Sequence, residues 1–125
     1  MIKEYYREQI NEIVLFINQK NLLQAKNKIE ILIKKYPEDF FLENIYGTIL
    51  LNLEDIDSAI NIFELLIKKN PNNSIFYFNL ASCYKKKNLI EKTIENLLIA
   101  SEKDNNYYNA YYELGKIFQK KKIMM

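Results

Sequence analysis

A period of 34 residues constrains this chain more than any other feature. Pro37 and Pro71 stand one period apart, and the next step falls on Asn105. Ala25 and Ala59 share the interval, followed by Thr93. Gly47, Ala81 and Gly115 form a column of small residues, and Phe16, Leu50, Tyr84 and Phe118 a column of large apolar ones. Independent columns with one period mean that a single structural unit is written repeatedly. A unit this short cannot bury its apolar face alone, so it must stack on copies of itself.

Each period reads as two helices. Leu42, Ile45, Tyr46, Ile49, Leu50 and Leu53 recur at helical steps, and so do Ile56, Ile60, Phe63, Leu66 and Ile67. Between these runs Asn52 to Asp57 is a polar turn, with Asp55 or Asp57 as the N-cap of the second helix. Asn70-Pro71 stops that helix, because a residue before proline is pushed out of the α region. The same reading gives helices at 3–18, 21–35, 40–52, 56–69, 74–86, 90–103 and 108–121. These make three hairpins and an unpaired seventh helix. Two glycines and two prolines leave few positions for the tight turns of an all-β fold.

The columns resemble the tetratricopeptide repeat, whose pattern is W-x2-L-G-x2-Y, then A-x3-F, then P. Tyr46-Gly47, Leu50, Ala59, Phe63 and Pro71 carry it best. Tyr77, Leu80-Ala81, Tyr84, Thr93 and Leu97 carry it again, and Tyr111, Leu114-Gly115 and Phe118 begin it once more. The first copy keeps Phe16, Ala25, Ile29 and Pro37 but has Glu12-Ile13 at the small-residue step. The resemblance implies an all-α fold, a right-handed superhelical array of antiparallel hairpins. It implies one domain over 1–125, with repeats at about 6–39, 40–73 and 74–107 and a partial repeat at 108–125. Gly47, Ala81 and Gly115, with Ala25 and Ala59, would then be close helix crossings.

The residue inventory argues against catalysis. Histidine is absent, which removes the commonest general base and metal ligand. Cys83 is the only cysteine, so no internal disulfide or thiol metal cluster forms, and a buried inert thiol is expected there. Glu54, Asp55 and Asp57 lack the glycine turn and distal carboxylate of a calcium loop and read as capping charge. No cofactor is implied. A net charge of +2 is far from the basic excess of a nucleic-acid binder. The charged start and the lack of a long apolar run lead us to expect a soluble, cytoplasmic chain with no membrane partner.

Arrays of the resembled family bind peptides in a concave groove lined by the first helix of each hairpin. Projected onto these helices, that face carries Arg7, Ile10, Asn11, Val14, Ile17 and Asn18, then Phe41, Asn44, Thr48, Leu51 and Asn52. Ile75, Phe78, Asn79, Ser82, Lys85 and Lys86 follow, then Tyr112, Lys116 and Lys120. Phe41, Leu51, Ile75 and Phe78 would form an apolar patch, which either binds a partner or is covered by neighbouring helices. Asn11, Asn44 and Asn79 carry the donor and acceptor that match a peptide group, or are solvated surface. The family's carboxylate clamp is missing, since Ile10, Val14, Ile45, Ile75 and Asn79 stand at the corresponding places. Lys85 to Lys87 and Lys120 to Lys122 would attract acidic segments or phosphates, or simply complement helix dipoles, the weightier reading.

At the end of the chain Ala110, Leu114, Ile117 and Phe118 present apolar area with only Ile123 to Met125 to cover it. This face is expected to pack on a second copy, a partner or a further domain. The leading expectation is therefore a non-catalytic scaffold that binds a peptide or protein. The alternatives are a substrate-recruiting array at the front of a glycosyltransferase- or sulfotransferase-like enzyme, or an RNA-binding repeat protein. The last rests only on lysine runs and surface tyrosines.

Overall fold

The computed structural model describes residues 2–124, with side chains described from 3 to 122. The described residues form helices and no strand: α1 Ile2–Asn18, α2 Leu22–Lys35, α3 Phe40–Asn52, α4 Ile56–Lys69, α5 Ser74–Lys86, α6 Ile90–Lys103 and α7 Tyr108–Met124. This is the expected all-α helical repeat. The helix ends match the sequence reading within one residue, except that α7 runs on to Met124.

The reversal inside each hairpin is one device used three times. Lys20, Glu54 and Asn88 are one period apart and adopt φ of 62°, 67° and 61°. Lys20 N–H donates to the Ile17 carbonyl and Asn21 N–H to the Phe16 carbonyl, at 3.0 and 2.8 Å. Glu54 and Asp55 repeat this on Leu51 and Leu50, and Asn88 and Leu89 repeat it on Lys85 and Tyr84. These paired bonds satisfy carbonyls at the helix end that would otherwise lack partners. Glycine usually fills the left-handed position; here only Asn88 is a residue that tolerates it readily. Nothing in the composition of Lys20 or Glu54 announces the turn.

Other ends are capped by side chains. Asp39 Oδ1 accepts from Leu42 N–H at 3.1 Å at the start of α3, and Asn73 Oδ1 from Ile75 N–H at 3.0 Å at the start of α5. For α4 the N-cap place belongs to Asp55, whose carbonyl takes the Ala59 N–H at 3.2 Å. Asp57 lies inside the first turn, where its charge favours the positive helix end.

Packing divides the chain into two compact units, Met1–Ile62 and Phe63–Met125. In the first, α1 packs on α2 and α2 on α3. Ile13, Ala25, Ile29, Leu32, Leu42 and Ile49 are buried at its centre, with Phe16, Ile17, Ile45 and Tyr46 packed around them. Ile13 occupies the column that is small in the other repeats, yet it is fully enclosed. The divergent Glu12-Ile13 step therefore builds the core of this unit. Burying a side chain of this size contributes roughly 1.5–3 kcal/mol.

In the second unit α5 packs on α6 and α6 on α7. Its centre is Ala81, Ile94, Leu97, Ala100, Ala110 and Leu114, with Tyr77, Phe78, Tyr107 and Ile117 against it. Two expectations for α7 are corrected here. Ala110 and Leu114 are buried on α6, so they are not open area, and Ile117 is partly buried against them. Gly115 is no close crossing, because a Cβ there would meet nothing within 4 Å. Phe118 is likewise 49% exposed, not part of a filled column. Gly115 and Phe118 share a cause: among the described residues no helix packs on their face of α7. The side chains of Ile123 and Met124, and all of Met125, lie outside the described residues.

Tyrosine hydroxyls tie elements together. Tyr6 donates to Asp39 Oδ2 at 2.8 Å, Tyr46 to Glu30 Oε2 at 2.7 Å, and Tyr77 to the Pro71 carbonyl at 2.7 Å. Burial, and then the carboxylate each one serves, pushes the Tyr6 and Tyr46 hydroxyls from 10.0 up to about 12. Burial pushes the Cys83 thiol from 9.0 up to about 12. These groups are held protonated by the fold, so their contribution is intact below the unfolded values and is lost as pH climbs through the folded ones. Urea-unfolding stability should stay flat to about pH 9 and fall between roughly pH 9 and 12, with a shallower fall in Tyr46→Phe. An unchanged slope in that variant would contradict the assignment. Lys20→Gly should stabilise the chain by about 1 kcal/mol, because the left-handed strain disappears. A lower unfolding midpoint would contradict the reversal geometry.

Candidate peptide-binding surfaces

In the first unit the face in question belongs to α1 and α3. Asn11 is exposed, Val14 is 42% exposed and Phe41 is 56% exposed. Ile10 is half-buried and packs on the core, where it also lines a cavity of about 470 Å³ with Arg7, Tyr6, Tyr36 and Asp39. Asn44 and Thr48 are half-buried, and the Thr48 hydroxyl donates to the Asn44 carbonyl at 3.0 Å. Leu51 corrects the sequence reading. It is only 8% exposed and belongs to the buried residues of α3, so it adds nothing to an open apolar patch.

In the second unit the face belongs to α5 and α7. Ile75 is 42% and Tyr112 65% exposed. Phe78 is half-buried, packed on Ala81 and its neighbours with its ring edge-on to Tyr107 at 5.3 Å. It serves the core more than the surface. Asn79 is half-buried, and the Ser82 hydroxyl, also half-buried, donates to the Phe78 carbonyl at 3.1 Å. Thr48 and Ser82 lie one period apart and make the same bond one turn back, which explains a small hydroxyl at that place in both repeats.

The clearest constellation surrounds a cavity of about 460 Å³ at the C-terminal ends of α5 and α7. Lys85, Lys116, Lys120 and Lys121 rim it, and Ile90, Thr93 and Ile117 line it. Glu113 stands among the lysines, 2.9 Å from Lys85 Nζ and 3.0 Å from Lys116 Nζ. Burial pushes its carboxyl up, but the hydrogen bonds from Lys85 and Lys116 outweigh that and hold it below the ordinary value. Glu113 is therefore a carboxylate at neutral pH. Lys121 pairs with Glu91 at 3.4 Å, and Lys120 has no ion pair among the described residues. The cavity thus joins an aliphatic wall to a net positive rim.

The sequence reading named Lys85, Lys116 and Lys120, placed Ile117 on the apolar face of the last helix, and missed Glu113 and Ile90. A helical stripe carried the signal: Glu113, Lys116, Ile117 and Lys120 recur at steps of three and four along one face of α7. Ile90 enters only through the fold, since it sits at the first position of α6.

A third depression, about 570 Å³, lies along the α4–α5 turn between Lys69 and Lys103, with Lys103 Nζ 3.3 Å from Asn72 Oδ1. Among the described residues no group of three or more acidic, cysteine or histidine side chains is placed to hold a metal ion. No helix there is long and apolar enough to cross a membrane.

Two family models described as tetratricopeptide repeat match the chain, one over residues 45–73 and one over residues 62–95. No curated protein matches its sequence. Among solved structures, MamA from Desulfovibrio magneticus RS-1 superposes with a TM-score of 0.76 at 20% identity, over 91% of this chain and 64% of that one. YrrB, described as a TPR protein with an unusual peptide-binding site, gives 0.70 at 18% identity, over 91% and 59%. The first TPR of Spaghetti (RPAP3), bound to an HSP90 peptide, gives 0.76 at 16% identity, over 87% and 86%. The chain thus spans less than two thirds of the MamA and YrrB chains. With helical hairpins at a 34-residue period and two repeat matches inside them, residues 45–95 carry tetratricopeptide repeats and the chain has the helical-repeat fold of such proteins.

Proposed function

We propose that this chain is a non-catalytic interaction module whose two units each present a peptide-binding face on their first helices. One observation carries the reading: Val14, Phe41 and Ile75 stand 42%, 56% and 42% exposed on those helices, while the core of each unit closes without them. Apolar side chains held in water by a rigid scaffold favour a partner that covers them. Peptide binding by similar folds adds support, since YrrB and the RPAP3 repeat are described with peptide sites. The absence of histidine and the high pKa of the Cys83 thiol, about 12, support a role without chemistry. The HSP90 peptide bound by the RPAP3 repeat is not proposed as the ligand, because Ile10 and Ile75 occupy places where the resemblance calls for cations.

A second contact is favoured by α7. Tyr111, Gly115 and Phe118 lie on one face, the aromatics 45% and 49% exposed, with open space over the glycine. We propose that two copies associate through this face, the missing Cβ allowing close approach of the axes. Sedimentation equilibrium should show a concentration-dependent dimer that Phe118→Lys abolishes. A monomer throughout the wild-type series would remove this contact.

Selection from a random-peptide display library tests the main reading. Selected peptides should bind the wild type and lose at least about tenfold in affinity, about 1.4 kcal/mol, for a folded Phe41→Glu, Ile75→Glu double variant. Equal binding to both proteins would overturn the assignment of these faces.

A further inference from the structure

The lysine-rimmed cavity of the second unit has features that the general reading does not use. Its wall is aliphatic, supplied by Ile90 and Ile117, and its rim is cationic. One rim group, Lys120, has no ion pair among the described residues, while Lys85 and Lys116 share a single carboxylate, Glu113. Two ammonium groups on one carboxylate leave positive charge uncompensated. A group 49% exposed at the mouth, Ile90, offers apolar surface beside it.

We propose that this cavity takes an acidic peptide segment that inserts one aliphatic side chain between Ile90 and Ile117, and that Glu113 holds the site as an internal stand-in for the ligand's carboxylate. The proposal rests on the interaction-module reading and names the ligand class of one of its surfaces. Charge complementarity selects the occupant, because acidic side chains meet the lysine rim and a basic segment would be repelled. The wall decides between macromolecules. Among the described residues no aromatic ring lines the cavity, so it lacks the stacking platform on which single-stranded nucleic acid depends. An aliphatic wall gains nothing from a phosphate backbone but does gain from a leucine or isoleucine side chain.

Glu113 makes the idea sharp. An incoming carboxylate that reaches Lys85 or Lys116 must compete with a group already 2.9 to 3.0 Å from both. Removing that competitor frees two cations for the ligand, whereas removing Lys120 takes away the rim cation that, among the described residues, needs no exchange. A merely structural ion pair predicts the opposite sign for Glu113: its loss would loosen α5 against α7 and weaken binding.

The test uses the full chain and a short fluorescein-labelled peptide of aspartates and glutamates with one central leucine. Controls are the same peptide with glycine for leucine, one with lysines for the acids, and a single-stranded RNA. Fluorescence anisotropy should show the leucine peptide binding at least about fivefold tighter than the glycine one, with affinity falling as salt rises. Glu113→Gln should tighten binding roughly three- to tenfold, Lys120→Glu should weaken it about tenfold, and Ile90→Ser should erase the leucine preference. Circular dichroism confirms that each variant folds, and both Lys120 and Ile90 are exposed enough for substitution to leave the core intact. Equal binding of the leucine and glycine peptides, or unchanged affinity in Glu113→Gln, would overturn the proposal. So would RNA displacing the peptide. If the peptide fails while Phe41→Glu, Ile75→Glu still weakens binding of selected peptides at least about tenfold, the interaction-module reading survives and only this cavity assignment falls.

Discussion

Close packing of helices around small and branched side chains is the constraint on which the rest of this molecule depends. In the first unit Ala25 is fully enclosed beside Ile13 and Ile29; in the second Ala81 and Ala100 lie beside Leu97 and Ile94. An alanine at such a place lets backbones approach and lets the larger neighbours interdigitate without voids. No hairpin achieves this alone, so α2 must serve both α1 and α3, and α6 both α5 and α7. The period in the sequence is the chemical trace of that shared burial.

The surfaces follow from what the core does not need. Once the packing is satisfied, Phe41 and Ile75 project into water from a frame that cannot collapse onto them. At the far ends of α5 and α7 lysines gather because helix C-termini favour cations, and the fold brings two such ends together around Ile90 and Ile117. A dipole effect that is local to each helix thereby becomes a charged rim shared between helices. Glu113 relieves part of the resulting repulsion.

Helix positions were legible in the sequence because periodic apolar residues and the Asn70-Pro71 stop act locally. What was not legible depended on neighbours. The reversals at Lys20 and Glu54 use a conformation that their side chains do not announce, imposed by paired hydrogen bonds to the preceding helix end. Leu51 and Phe78 fall on the first-helix face by projection, yet one is buried and the other lies against the core. Ile10 is shared in the same way between core and cavity. Gly115 and Phe118 obey the period perfectly, yet among the described residues a Cβ at Gly115 would meet nothing and Phe118 stays half exposed, because a column records a capacity to pack and the packing itself needs a partner.

That distinction gives the most direct measurement: the unfolding free energies of Ala81→Leu and Gly115→Ala, two positions of one column. Ala81 is 1% exposed in the core, so the larger side chain should cost about 1–3 kcal/mol by overpacking. Gly115 faces open space within a helix of the single chain, so at concentrations where the chain is monomeric alanine there should add about 1 kcal/mol through helix propensity. Opposite signs would support an account in which contact, not sequence position, sets the energetics. Destabilisation of similar size at both positions would contradict it.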